Sequence, residues 1–338
     1  MSSDHDQSIT GVPIYPDIKL YCNILLGLRI WEGDGWKEES LSWKNSCYLH
    51  AGLNGPYSEL TYKGPDAQKL LSAISINDCY NWPIGRSKHL VMCDEKGLVA
   101  NHVLTVRDSD DTFRSFRGFP WAIYHNIKLK YDVQTSFREI FILQVAGPTS
   151  LQVLEQVTGE NLRDVTFLAF RPTKIPGVNA PIEVSRIGMA GTLAYELRGP
   201  IEAGPTVYDA VYKTGRPLGI KRLGWRAYVV NHTEGGFPQL SCTFTASCTA
   251  YPEFMSKFGA TVIANMSGSV DPANVRARYR TPSEVGWGWM ANFNHDFIGR
   301  GAVKAELANP RRTIVTLRWN PDDVLDTYAS LLKPGTDE

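Results

Sequence analysis

The 338-residue sequence lacks the features that mark a membrane protein or a nucleic-acid-binding protein. Its apolar runs are interrupted well before the ~20 residues that a membrane-spanning helix needs, and its polar start has no signal-peptide pattern. Lys and Arg together number 35, as do Asp and Glu, so the formal net charge is zero. A balanced charge gives no electrostatic attraction to nucleic acid or to an anionic membrane surface. We therefore expect neither as a partner.

Cysteine is scarce: the chain has six, and none of them forms a C-x-x-C pair. We therefore expect no metal site, reduced thiols and a cytoplasmic location. The patterns G-x-G-x-x-G, P-loop, G-x-S-x-G and H-E-x-x-H are also missing. Cys242 and Cys248 with His232 suggest a thiol nucleophile, but nothing in the sequence places them together.

The composition is that of an ordinary globular protein, with 43% hydrophobic and 21% charged residues. A chain of this length forms one large domain or two to three small ones. Nine Trp and fifteen Tyr are many for this length. They are typical of a protein with aromatic-lined clefts, although large cores use them as well.

Two segments repeat the order strand, Gly-Pro, amphipathic helix. The first has an alternating strand at 59–62 and helical spacing of apolar residues after Asp66. The second has an apolar strand at 141–145, again followed by Gly-Pro and a helix. This repetition predicts duplicated α+β halves. Local patterns also predict a hairpin at 89–99, a helix at 121–125 and a strand at 312–319.

The segment 187–200 joins a glycine-punctuated turn to a short strand that carries one carboxylate. Gly188 and Gly191 allow positive φ and close approach of the backbone to another group. Glu196 lies between two apolar residues in the strand, where an unpaired buried carboxylate is costly. Glu196 is therefore salt-bridged or exposed at an edge, or it accepts hydrogen bonds from an amide-like or guanidine-like edge of a ligand.

The sequence Gly-Met-Ala-Gly at 188–191, followed by Glu-Leu-Arg-Gly-Pro at 196–200, resembles the signature of the glycine-cleavage T-protein (aminomethyltransferase) superfamily. Over residues 43–330 the chain is most similar to the tetrahydrofolate-dependent aryl O-demethylases of the vanillate and syringate type. The resemblance implies an α+β, T-protein-like folate-binding fold with duplicated strand–helix halves. It also implies tetrahydrofolate as the cofactor and a methoxylated aromatic acid as the small-molecule substrate.

The resemblance gives roles to four residues. Glu196 would hold the pterin ring of tetrahydrofolate, with Met189 in the same motif and Phe237 where the demethylases pack an aromatic residue on the folate. Tyr228 matches the tyrosine at the methyl-transfer site. Methyl transfer from an aryl ether to a folate nitrogen leaves a phenolate, and a phenol donor stabilises that charge. The alternative is that Tyr228 and Phe237 are plain core aromatics.

Arg117 lies near the position of the arginine that grips the carboxylate of the aromatic acid in the demethylases. A bidentate arginine–carboxylate pair would orient the substrate ring. Arg114 is an alternative for this role, and Arg117 would otherwise be a surface residue.

Several polar residues of the demethylases are replaced in this chain. Small residues stand where the demethylases carry an acid, a glutamine and a histidine: Ala51, Gly52 and Gly55. His50 and Asn54 lie close by, and we assign both to substrate binding. His102 replaces an aspartate of the T-proteins and is a candidate catalytic base or hydrogen-bond donor. We therefore expect slow turnover of vanillate and syringate, or an altered or lost activity.

The sequence predicts five segments. They are an N-terminal arm (1–40), a first α+β half (41–140), a second α+β half with the folate motif (141–240), an insertion with a helical segment (241–310), and the start or remnant of a C-terminal barrel domain (311–338). The barrel itself is expected to be largely absent. Three functions are compatible with this organisation: tetrahydrofolate-dependent O-demethylation, folate-independent lyase-type chemistry on the same fold, and folate or partner binding without catalysis. The chain is expected to be a monomer or a homodimer.

Overall fold

The computed structural model describes residues 14–24, 27–51, 59–259, 271, 273–333 and 335. Asn54 lies outside these residues, as do Gly52 and Gly55. None of the helices in this part of the chain combines the length and the hydropathy that crossing a bilayer requires.

Helices and strands alternate along the chain. The helices are α1 (Trp36–Asn45), α2 (Ala67–Ile74), α3 (Trp121–Leu129), α4 (Ser150–Thr158), α5 (Gly204–Gly215), α6 (Trp225–Glu234), α7 (Pro252–Phe258), α8 (Arg300–Ala308) and α9 (Pro321–Ser330). The strands are β1 (Leu20–Ile24), β2 (Gly27–Glu32), β3 (Tyr48–His50), β4 (Glu59–Lys63), β5 (Ser87–Cys93), β6 (Val99–Arg107), β7 (Thr112–Phe116), β8 (Gln134–Arg138), β9 (Ile140–Ala146), β10 (Phe170–Thr173), β11 (Ile182–Ser185), β12 (Ala194–Pro200) and β13 (Lys221–Arg222).

The strands form two large sheets and a hairpin. One sheet has the order β10-β11-β12-β9-β3-β13 and the other the order β5-β6-β7-β4-β8, while β1 and β2 pair with each other. The described pairs are antiparallel, apart from the parallel pair β13 and β3. Strand β3 precedes the first Gly-Pro unit but pairs with β9 of the second unit. The larger sheet therefore joins the two predicted halves.

Both predicted strand–Gly-Pro–helix units are present, as β4–α2 and β9–α4. The glycine between strand and helix has φ of 151° at Gly64 and 133° at Gly147. A Cβ at Gly64 would lie 2.2 Å from the carbonyl oxygen of Asp132, and one at Gly147 would lie 2.4 Å from that of Ser46. Each unit therefore requires glycine at this position for two reasons: the positive φ of the backbone and the close approach of a neighbouring chain segment.

The larger sheet has two different faces. One face packs against α4 and α5 in a core that includes Leu143 and Val145 of β9. The opposite face carries Ile142 and Ala146, and its core includes Phe116 of β7 and residues at the start of α6. Side chains alternate between the two faces along a strand, so any polar residue in register with Ile142 and Ala146 points between the two sheets.

The strand predicted at 312–319 is wrong. Residues 311–320 have no regular secondary structure, and helix α9 follows them. Val315, Leu317 and Trp319 are 67%, 72% and 75% exposed. β-propensity reflects packing on a neighbouring strand, and the described part of the chain supplies none at this position.

The predicted arm at 1–40 contains more regular structure than its composition suggested. Its described residues include the β1–β2 hairpin and the start of α1.

We expect Gly147→Ala to lower the free energy of unfolding by about 2–4 kcal/mol, because it adds backbone strain to a steric overlap. Gly159→Ala is the matched control. Gly159 also has a positive φ, 70°, but no atom of the described residues lies within 4 Å of a Cβ placed there. Its cost should be about 1 kcal/mol, that of the left-handed conformation alone. Urea denaturation measures both, and equal losses would show that the contact with Ser46 is unimportant.

Candidate active site

A row of polar side chains crosses the larger sheet on the face between the two sheets. Glu196 of β12 lies opposite Gln144 of β9, and Gln144 lies opposite His50 of β3. Residues opposite each other in neighbouring strands point to the same face, so the three side chains are neighbours. They are 6%, 1% and 1% exposed, respectively. The sheet therefore brings together residues that are far apart in sequence: Gln144 follows His50 by 94 positions, and Glu196 follows Gln144 by 52 positions.

Tyr48 and Asn231 extend this row towards α6. The side-chain amide of Asn231 donates to the Tyr48 hydroxyl at 3.2 Å, and that hydroxyl donates to Oε1 of Gln144 at 2.6 Å. Nε2 of Gln144 and Oδ1 of Asn231 are buried without a hydrogen-bond partner among the described residues. A buried polar atom without a partner costs about 1–3 kcal/mol, so such atoms in one place indicate a ligand site.

Glu196 forms a salt bridge and keeps one free oxygen. Arg198, two residues along the same face of β12, donates from Nη2 at 2.5 Å and from Nε at 3.2 Å to Oε2 of Glu196. No residue in the described ranges donates to Oε1. The guanidinium group of Arg198 also lies 4.0 Å from the centre of the Phe116 ring, and its Nη1 has no hydrogen-bond partner among the described residues. The arginine therefore fixes the carboxylate and leaves Oε1 as an acceptor.

The His50 ring stacks on Tyr228 of α6, with 4.0 Å between ring centres and an angle of 11°. His50 Nδ1 lies 2.9 Å from the carbonyl oxygen of Leu223. Because a carbonyl only accepts, Nδ1 carries the proton, and Nε2 is an acceptor to which no described residue donates. Burial lowers the pKa of His50 to about 3, so the ring is neutral at physiological pH.

The Tyr228 hydroxyl is buried and has no hydrogen-bond partner in the described structure. A packing tyrosine normally satisfies its hydroxyl, so this arrangement is unusual. Burial raises the pKa of Tyr228 well above 10, although the positive charge of Arg117 acts in the opposite direction. The hydroxyl is therefore a donor and not a base. His232, one helical turn later, donates from Nδ1 to the carbonyl oxygen of Tyr228 at 2.7 Å, and its Nε2 has no partner in the described ranges.

The two candidate arginines differ in their partners. Arg114 binds three carboxylates, at 2.5 Å to Asp108, 3.0 Å to Glu59 and 2.8 Å to Glu183, and has no capacity left for a substrate. Arg117, directly after β7, has no ion-pair partner among the described residues. Its φ of 55° is in the left-handed region. Burial lowers the pKa of Arg117, and its charge acts on Tyr228. Of the two, Arg117 is the one free to bind an anion.

His102 and Phe237 belong to a separate aromatic cluster. His102 Nε2 lies 3.1 Å from Nδ1 of His89, and its ring stacks on Trp287 at 4.3 Å and lies 5.6 Å from Phe237. Burial lowers the pKa of His102 well below 6.5, so the ring is neutral. In the described structure His102 does not contact Tyr228. Phe237 connects the two groups, because its ring lies 6.1 Å from that of His232.

The glycine turn that carries Met189 packs against the end of α6. A Cβ at Gly235 would lie 2.4 Å from the carbonyl oxygen of Met189, so only glycine permits this contact. Gly235 is two residues before Phe237. The contact therefore fixes the loop of Phe237 against the turn before Glu196. The Met189 side chain is half-buried, and its contact with a cofactor stays a prediction.

The GCVT N-terminal domain family matches residues 53–257, more than half of the chain. The chain belongs to this family. It is 35% identical over 306 residues to the sesamin methylene transferase of Sinomonas sp. (strain No.22), covering 88% of this chain and 67% of that one. It is 26% identical over 340 residues to the syringate O-demethylase of Sphingobium sp., covering 95% and 70%.

The fold of this GCVT-family chain is similar to that of the glycine-cleavage aminomethyltransferase T of Bartonella henselae. The TM-score is 0.65 at 15% sequence identity, covering 86% of this chain and 72% of that one. The predicted superfamily and the predicted T-protein-like α+β fold are therefore confirmed. The named relatives are transferases and a demethylase, so the protein is an enzyme. Their names describe the transfer or removal of one-carbon groups.

Four polar residues of the candidate site were not predicted as part of it: Gln144, Arg198, Asn231 and His232. The sequence carries a signal for each. Gln144 is the one polar residue within the apolar strand β9. Arg198 follows Glu196 by two positions, the spacing of one strand face. Asn231 and His232 follow Tyr228 by three and four positions, the spacing of one helix face.

Buried histidines make the stability of this fold depend on pH. Burial lowers the pKa of His50 to about 3, and those of His125 and His232 to about 4. An unfolded histidine titrates near pH 6.5, so below that pH the unfolded chain binds protons that the folded chain does not. The stability that these groups contribute is complete above pH ~7. Between about pH 6 and 4 it should fall by up to about 1.4 kcal/mol per pH unit for each histidine.

His125→Gln isolates this effect, because His125 lies on α3 and outside the polar row. We expect the free energy of unfolding, from urea titrations at pH 4.5–6, to fall less steeply in the variant, by about 1.4 kcal/mol per pH unit. Parallel slopes for the variant and the parent would contradict the lowered pKa of His125.

Proposed function

We propose that this protein is a tetrahydrofolate-dependent one-carbon transferase that demethylates a methoxylated aromatic acid. The observation that carries the proposal is the set of buried, unpaired polar atoms at one place between the two sheets. Gln144, Asn231, His50 and Tyr228 each contribute one of them, and Glu196 lies beside Gln144 in the same row. Together with membership of the GCVT family, this set supports binding of a polar heterocycle beside a phenol donor.

The polar row fits the edge of a pterin ring. Such an edge carries amide-type N–H donors and carbonyl or ring-nitrogen acceptors. Asn231 Oδ1 is an acceptor and Gln144 Nε2 a donor without a partner among the described residues. Arg198 donates only to Oε2 of Glu196, which leaves Oε1 as a further acceptor. When bound, tetrahydrofolate supplies an amine nitrogen that accepts the one-carbon group. Glu196, Gln144 and Asn231 are the residues that would hold it, while Phe237 and Met189 would contact its rings.

Tyr228 would act on the oxygen that loses its methyl group. As the carbon–oxygen bond of an aryl ether breaks, the oxygen takes up negative charge, and a hydrogen bond from Tyr228 stabilises it. The raised pKa keeps the tyrosine protonated for this role. His50 holds the phenol ring by stacking and offers Nε2 as an acceptor in the same place. Arg117 would orient the substrate through its carboxylate.

Two observations bear on the other functions. The residues that replace demethylase polar groups include Ala51, but His50, Gln144 and Tyr228 still provide unpaired polar atoms beside it. This favours an enzyme over a protein that only binds a ligand.

The 35% identity to a protein named sesamin methylene transferase supports a second candidate function, the transfer of a methylene group. The role of His102 as a base stays a prediction, because the described structure places it in the other aromatic cluster.

We expect Glu196→Gln to weaken tetrahydrofolate binding by about 1.5–3 kcal/mol, the range for hydrogen bonds to a charged group. Calorimetric titration measures the affinity. Glu183→Gln is the matched control, since Glu183 lies on the neighbouring strand β11 and is also paired with an arginine, Arg114. Its affinity should equal that of the parent. Unchanged affinity in Glu196→Gln would remove the carboxylate from the folate site.

We expect Tyr228→Phe to reduce turnover by about 100- to 1,000-fold, by analogy with deletion of an oxyanion-hole donor. Its melting temperature should not fall, because the hydroxyl forms no hydrogen bond with any described residue. Tyr208→Phe is the control: Tyr208 is as fully buried and its hydroxyl also lacks a partner in the described structure, but it lies in the α4–α5 core. That variant should keep parental turnover. A Tyr228→Phe enzyme with parental turnover would show that the tyrosine only packs.

A further inference from the structure

Glu39 of α1 is a buried carboxylate whose described hydrogen bonds all come from backbone N–H groups. It is 0% exposed and forms no ion pair with a described residue. Oε1 accepts from the N–H groups of Gly33 and Gly35 at 2.7 and 3.1 Å, and Oε2 accepts from that of Gly224 at 2.7 Å. An ionised carboxylate without a cation is costly to bury, so these three hydrogen bonds are what stabilise it.

The two oxygens of Glu39 join separate parts of the chain. Oε1 binds the turn between β2 and α1, whereas Oε2 binds Gly224, the residue directly before α6. The backbones of these segments are in close contact: a Cβ at Gly33 would lie 2.3 Å from the carbonyl oxygen of Arg222, and one at Gly224 would lie 2.2 Å from that of Trp31. A side chain at either glycine would force the segments apart, so Glu39 spans a gap that the glycines keep short.

Gly224 connects Glu39 directly to Tyr228. Its N–H donates to Glu39, and its carbonyl oxygen accepts the N–H of Tyr228 at 3.0 Å, which is the first hydrogen bond within α6. Gly224 has no side chain to cap the helix. The carboxylate of Glu39 therefore supplies, from another helix, the negative charge that stabilises the start of α6.

The residue before Gly224 joins the same helix start to His50. The carbonyl oxygen of Leu223 accepts from Nδ1 of His50 at 2.9 Å, and the His50 ring stacks on Tyr228. The start of α6 is therefore held by β3 on one side and by Glu39 on the other. Loss of the bond from Gly224 to Glu39 would remove one of these two restraints and let the tyrosine move relative to the larger sheet.

We infer that Glu39 is a positioning residue for Tyr228: by holding Gly224 it fixes the tyrosine hydroxyl against the substrate oxygen that loses its methyl group, a role that rests on the proposed function of that hydroxyl. Glu39 acts through Gly224 and not on the substrate. Its removal should therefore slow the chemical step and leave folate binding intact. A displacement of about 1 Å in a catalytic group can lower a rate by about 100-fold.

Glu39→Gln breaks the link with little change in volume. The amide oxygen still accepts from one segment, but the NH2 group faces an N–H of the other. With tetrahydrofolate and 3,4-dimethoxybenzoate as substrates, kcat should fall by about 10- to 100-fold. The KM for tetrahydrofolate should stay within about twofold of the parental value, because Glu196 and Gln144 lie on the larger sheet and not on α6. In a Tyr228→Phe background the fall in kcat should be less than about threefold.

Asp94→Asn is the matched control. Asp94 is also buried, and its Oδ1 accepts two backbone N–H groups, those of Lys96 and Leu98, both at 2.9 Å. That turn joins β5 to β6 and lies outside the segments that hold the start of α6. This variant should keep the parental kcat and KM. Glu39→Asp, which keeps the charge on a shorter side chain, should have a kcat between those of the parent and Glu39→Gln.

Parental kcat in Glu39→Gln would overturn the inference. So would an equal loss of kcat in the presence and absence of the Tyr228 hydroxyl, because a general structural role would act in both backgrounds.

Failure of the proposed function has a different signature, since the parent would then transfer no methyl group to tetrahydrofolate. Hydrogen exchange tests the link without turnover. In Glu39→Gln the amide hydrogens of Gly224 and Tyr228 should exchange at least about tenfold faster than in the parent, while those of α4 keep their rates. Unchanged exchange at Gly224 and Tyr228 would show that Glu39 does not hold the start of α6.

Discussion

The candidate site depends on the register of β9 between β3 and β12. That pairing sets Gln144 between His50 and Glu196, although the three residues lie far apart in sequence. A slip by one residue would turn Gln144 towards the α4–α5 core and put Leu143 or Val145 in its place. The apolar residues of β9 therefore do more than fill two cores. By fixing the register, they also fix which polar atoms face each other between the sheets.

The same site lowers the stability of the folded chain, and the size of this penalty indicates that the site has a function. Gln144, Asn231, His50 and Tyr228 each bury a polar atom that no described residue satisfies. At about 1–3 kcal/mol for each atom, the penalty is comparable with the net stability of a small domain. The rest of the fold offsets it through apolar cores on both faces of the larger sheet. Sites that break the rules of stable packing in this way are typically functional.

Local patterns in the sequence predicted much of the fold. The units β4–α2 and β9–α4, the β5–β6 hairpin and helix α3 all follow from periodicity and turn residues within a few positions of one another. The strand predicted at 312–319 failed because propensity cannot supply a neighbouring strand. For Glu196 the sequence left alternatives open, and the structure shows the salt bridge: Arg198 binds one oxygen, and no described residue donates to the other. That outcome depends on side-chain geometry, which sequence spacing does not encode. The cross-strand row was missed for the same reason.

Arg117 comes from the other sheet, directly after β7, and it does not belong to the row that the register of β9 fixes. Its charge nevertheless acts on Tyr228 of α6. The candidate site is therefore assembled from separate elements: the larger sheet sets the order of Glu196, Gln144 and His50, whereas α6 and the end of β7 supply Tyr228 and Arg117. Because Arg117 lies outside the paired strands of the larger sheet, a substitution there changes the charge beside Tyr228 without changing the register of β9.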